Sequence, residues 1–84
     1  MEYKVLITDT DTNKDYETLV KVRSDATIKR VVLKAVEQVV ESISSDSLEF
    51  MREVNYIYRE SYDSDDFVEQ LKMDLDLVVT WEEV

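Results

Sequence analysis

Eighty-four residues make one small domain, residues 1–84, and a chain this short buries only roughly 60% of its unfolded surface. It has no Cys, His, Gly or Pro, which excludes disulfide staples, thiolate zinc sites and glycine-rich phosphate loops, and leaves the core to the 44% of residues that are hydrophobic. The net charge of −10, from 20 acidic against 10 basic side chains, argues against direct nucleic-acid binding and favours a basic protein partner.

The charge is uneven. Residues 21–34 hold five cations and one carboxylate, whereas residues 35–84 hold fourteen carboxylates and three cations. Met1 is followed by Glu2 rather than by a basic and then an apolar stretch, and no apolar run approaches membrane length. A soluble, cytoplasmic protein without a membrane contact is the expectation.

Residues 2–8, EYKVLIT, alternate as a strand with Tyr3, Val5 and Ile7 on one side. Residues 16–23, YETLVKVR, form a second strand with Tyr16, Thr18, Val20 and Val22 on one face. Between them lies DTDTNKD, Asp9–Asp15, which begins like a calcium-binding loop. An EF-hand loop starting at Asp9 needs Gly at its sixth position and Glu at its twelfth, where this chain has Lys14 and Val20. The stretch is therefore read as a hairpin turn, with Asn13 and the aspartates tolerating unusual backbone angles.

Ser24–Ile43 repeats Ile28, Val31, Val32, Ala35, Val36, Val39, Val40 and Ile43 at helical spacing, with Ser24, Asp25 or Thr27 available to cap. Leu33 falls off that stripe. Ser44–Ser47 reads as a loop, and residues 48–53 fit strand, turn or helix alike. Val54–Glu60, VNYIYRE, alternates as a third strand. Ser64 then caps a short helix through Phe67, Val68 and Leu71, and Leu75–Trp81 closes as a strand.

The order strand, strand, long helix, strand, short helix, strand, with VKVRSDATIKRVV joining a strand to the helix and DLDLVVTW at the end, resembles the ubiquitin-like β-grasp superfamily. The resemblance implies an α+β fold (ββαβαβ) in which one long helix covers a mixed sheet of four to five strands, with first and last strands paired in parallel. It implies a core of Val5, Ile7, Val20, Val22, Ile28, Val36, Leu75 and Leu77. It also implies an apolar partner patch on the other sheet face at Leu6, Leu19, Ile57 and Val78. The Ras-binding type of that fold presents cations from comparable elements, here Lys21, Arg23, Lys29, Arg30 and Lys34. The chain lacks the Gly-Gly tail of conjugated relatives, which argues against conjugation.

Catalysis finds little support. There is no His to act as a base near neutral pH, no Cys nucleophile, and no cofactor motif. The expected function is a non-catalytic, acidic protein-protein interaction domain that binds no cofactor and no metal. It docks through the apolar face or the basic island, as an accessory subunit for instance, and an exposed edge strand leaves homodimerisation open. The alternative is a small inhibitor of phage or mobile-element type. Its acidic surface, Glu60, Asp63, Asp65, Asp66, Glu69, Asp74 and Asp76, flanked by Tyr56, Tyr58 and Tyr62, would imitate nucleic-acid charge and block a basic protein.

Overall fold

A computed structural model describes all 84 residues. The chain forms β1 (Glu2–Asp9), β2 (Lys14–Lys21), α1 (Ile28–Ile43), α2 (Ser47–Glu60), α3 (Ser64–Leu75) and β3 (Leu77–Glu83). The three strands lie in the order β2-β1-β3, and both pairings are antiparallel. The fold is α+β, but it is ββαααβ and not the ubiquitin-like arrangement. There are three strands rather than four or five, three helices rather than one long one, and no parallel pair.

The hairpin forms where the alternation places it, with Tyr3 opposite Val20 and Ile7 opposite Tyr16. Its turn is made without glycine. Asn13 takes φ 60°, its N–H donates to the Asp9 carbonyl at 2.8 Å, and the Asp9 carboxylate accepts from the Asp11 N–H at 2.9 Å. These are the local bonds by which Asx residues build turns.

The direction of β3 follows from the three helices. Near its start α1 is tied to the end of β2, where Lys34 Nζ donates to the Lys21 carbonyl at 2.8 Å. At its far end the Tyr16 hydroxyl donates to the Ser42 carbonyl at 3.2 Å, so α1 runs the length of the sheet. α2 brings the chain back to Ser61, beside Lys29, and α3 carries it forward again to Asp76, whose carbonyl accepts from the Thr10 N–H. Three traverses thus deliver Leu77 opposite Asp9, and β3 must run antiparallel to β1.

The third expected strand, residues 54–60, is the second half of α2. Its alternation covers only seven residues, and the longer window has the helical period: Phe50, Val54, Ile57, Tyr58 and Ser61 face inward, with Val54 and Ile57 buried. The signal at its start is Asp46-Ser-Leu-Glu49, a capping pattern in which the Asp46 carboxylate accepts from the Glu49 N–H at 3.1 Å.

One core joins the sheet to all three helices. Val5, Ile7, Val20, Leu77 and Val79 meet Val31, Val32, Val36, Val54, Phe67 and Leu71. Val22, Ile28 and Leu75, expected fully inside, are only partly buried against its rim. Leu33 is buried because α1 touches the sheet on one side and both other helices on the other, so its apolar stripe is wide. Phe67 meets Tyr58 edge to face, with centroids 5.3 Å apart. No helix is long and apolar enough to cross a membrane.

Candidate functional site

The acidic residues singled out from the sequence gather on and around α2 and α3, but they do different work. Asp63, rather than Ser64, caps α3: its carboxylate accepts from the Asp66 N–H at 2.9 Å. Asp66 reciprocates by accepting from the Tyr62 N–H at 2.7 Å. Asp76 takes the left-handed conformation, φ 58°, that ends α3. These three aspartates are committed to building the helix ends. Glu60, Asp65, Glu69 and Asp74 are exposed and form none of the four ion-pair contacts, which involve only Lys4, Arg23 and Arg52 as cations.

From Asp46 to Asp76 there are ten carboxylates and three cations, net −7 in 31 residues, so this segment holds most of the molecule's charge. A groove runs between α2 and α3. One cavity of about 380 Å³ is lined by Arg52, Glu53, Tyr56, Ile57 and Asp74. A second of about 230 Å³ shares Tyr56, Ile57 and Asp74, and continues past Glu60, Asp66 and Gln70. Tyr56 stands 58% exposed at its wall, Ile57 lies beneath it at 8%, and Tyr62 nearby is 92% exposed. No three carboxylates converge closely enough to hold a metal ion. The face presents a negative field and exposed aromatic surface.

Ile57 does not belong to the sheet face assigned to it above. It sits in α2, with its side chain in the core, because residues 54–60 are helical. The other three members are together. Leu6, Leu19 and Val78 point away from the helices, and the strand registers set them on a diagonal: Leu19 is level with Lys4, and Val78 is level with Thr8, on either side of Leu6. Lys4 interrupts the apolar line by pairing with Glu17 at 3.0 Å and Glu82 at 3.9 Å. Glu17, as hydrogen-bond acceptor and as neighbouring charge, raises the Lys4 ammonium above the ordinary 10.5, with Glu82 adding to it.

The basic island divides. Lys29 turns toward the α2–α3 junction, where Nζ donates to the Ser61 carbonyl at 2.9 Å and stands 4.5 Å from the centroid of the Tyr58 ring. Lys21, Arg23, Arg30 and Lys34 remain together around an open cavity where β2 gives way to α1. The Arg23 Nε lies 3.8 Å from Asp25, a pair too exposed to contribute much.

Glu53, which lies beside Tyr56 in the α2–α3 groove, is not among the acidic residues picked out from the sequence. The available signal was the helical period of residues 47–60, which places Glu53, Tyr56 and Glu60 on one outer face. No protein-family model, curated protein or solved structure matches this chain. Surface chemistry and fold geometry carry the functional argument.

Proposed function

We propose that this chain is a non-catalytic, acidic interaction domain that docks its α2–α3 face onto a basic surface of a partner protein, one of the kind that otherwise holds nucleic acid. One observation carries the reading: the unpaired carboxylates Glu60 and Asp74 line a groove whose exposed wall is Tyr56, and Asp65 and Glu69, also unpaired, add to the negative charge of α3 outside it. Unpaired charge speeds encounter with an oppositely charged surface, and an exposed tyrosine supplies rigid contact area. Glu60, Asp65, Glu69 and Asp74 cap no helix, so they are free for a partner.

The test is capture from source-cell extract on the immobilised protein, followed by a salt gradient. The expected partner is a basic protein released at moderate salt and by a short DNA duplex, and not captured by the variant E60Q/D65N/E69Q/D74N. Capture that resists salt and survives those four substitutions rules the reading out.

A second reading has its own support. Leu19, Leu6 and Val78 form an apolar diagonal on an uncovered sheet face, with Leu19 56% exposed. Docking there predicts little salt dependence and loss of binding in Leu6→Asp.

A further inference from the structure

The largest cavity lies away from the α2–α3 groove, and none of its lining residues belongs to that face. It measures about 520 Å³, and its charged lining is Lys21, Arg23, Arg30 and Lys34 together with Asp25 and Glu37. Four cations against two carboxylates leave it net +2 inside a molecule of net −10. With twenty carboxylates in the chain, self-pairing would be the ordinary outcome, yet of these four cations only Arg23 has a carboxylate partner, Asp25 at 3.8 Å. Arg30 and Lys21 make no ion pair and no side-chain hydrogen bond. Lys34 spends one of its three N–H groups on the Lys21 carbonyl. Asp25 approaches only the Nε of Arg23, so both terminal nitrogens of that guanidinium stay available.

We infer that this β2–α1 cavity is a binding site for a phosphate monoester. The charge matches: a phosphomonoester carries about −1.5 to −2 at pH 7, which neutralises a net +2 surround, whereas a single carboxylate leaves half of it. The donors match as well. Two planar guanidinium groups offer the forks that bind phosphate oxygens in pairs, and two ammonium groups supply compact charge. Val22 and Ala26 add a small apolar lining against which the rest of a ligand can rest, and the volume is in the range of small-ligand sites. The inference is independent of the α2–α3 reading.

The phosphate could be borne by a nucleotide or by a smaller ester, so the test uses inorganic phosphate, glycerol 3-phosphate and AMP as separate probes. Each is titrated into 15N-labelled protein at constant ionic strength, and amide shifts are followed. Saturable shifts confined to residues 21–37 are expected with all three. AMP binding more tightly than glycerol 3-phosphate identifies a nucleotide source, and equal binding identifies the ester alone; both uphold the site. Arg30→Gln and Lys21→Gln, both exposed, each weaken binding about tenfold, the scale of one charge-assisted contact, while Lys72→Gln on α3 leaves it unchanged. The inference is overturned if no probe saturates, if Lys72→Gln weakens binding as much as Arg30→Gln, or if tetraglutamate binds as tightly as the phosphates.

Discussion

Replacing Lys29 with Met separates a structural role from a partner-binding one. Methionine keeps an apolar stem of similar reach but removes the charge. Two interactions are lost. The hydrogen bond from Nζ to the Ser61 carbonyl, 2.9 Å, is charge-assisted and of a class worth about 1.5–3 kcal/mol; half-burial puts it at the lower end. The stacking over Tyr58 at 4.5 Å adds about 0.5–1 kcal/mol. Against this, a cation in the first turn of α1 opposes the helix dipole, and removing it returns about 0.3–1 kcal/mol. The net expectation is a loss of about 1–2 kcal/mol, or roughly 4–8 °C per kcal/mol in melting temperature for a domain this size. Urea unfolding followed by the fluorescence of Trp81, the only tryptophan, measures it. Tyr58 also packs on Phe67, so Tyr58→Leu costs more than the stacking alone, and the double variant isolates the pair. A coupling energy of at least about 0.5 kcal/mol is expected. A single-variant loss under about 0.3 kcal/mol together with no coupling would refute the structural assignment of Lys29.

Other perturbations follow from the same contacts. Phe67→Ala empties the centre of the core and costs about 3–5 kcal/mol, much of the total stability of a domain this small, so its circular dichroism at 37 °C should be that of a largely unfolded chain. Asp76→Gly relieves a left-handed backbone at the end of α3 without touching the Thr10 bonds to its carbonyl, and thermal melting should show a gain or no loss; a drop of several degrees would mean the Asp76 side chain itself holds the turn. Because the Lys4 ammonium is raised by Glu17 and Glu82, its share of stability is complete below the ordinary lysine value and is lost as pH rises from there through the raised one. Stability between pH 6 and about 9 should therefore be unchanged by Glu17→Gln in its slope, while NMR titration of the Lys4 side chain moves to lower pH in that variant.

The hairpin, α1 and the closing strand were legible because each depends on neighbours in the chain. Tyr3, Val5 and Ile7 alternate, and Ile28 to Ile43 keeps its period for sixteen residues. α2 was not legible in the same way. Val54, Tyr56 and Tyr58 are residues that favour strands, and within seven positions they also satisfy a strand's period. What overrides that preference is tertiary: Val54 and Ile57 have α1 and α3 to pack against. Reading α2 as a strand leaves three elements between β2 and β3, as observed, so the expected parallel pairing came from the ubiquitin-like resemblance and not from the element order; three full traverses make β3 antiparallel to β1. The acidic residues were visible as a cluster, but only the helix ends reveal that Asp63, Asp66 and Asp76 serve the backbone while Glu60, Asp65, Glu69 and Asp74 do not.

The central strand is β1, and its second partner is the last element of the chain; the Val84 N–H donates to the Glu2 carbonyl at 3.0 Å. During synthesis, the first strand made must wait for nearly everything else. Until residues 77–83 emerge, the sheet is a single hairpin, which is marginal in water, with Leu77 and Val79 missing from the core. Completion of the fold is thus a late event, set by the arrival of the C-terminal segment. The same meeting of ends makes the molecule a candidate for circular permutation: Val84 joined to Met1 by a short linker and reopened at Ser45, an exposed loop residue between α1 and α2, would place β3 ahead of β1 and let the sheet assemble from consecutive strands.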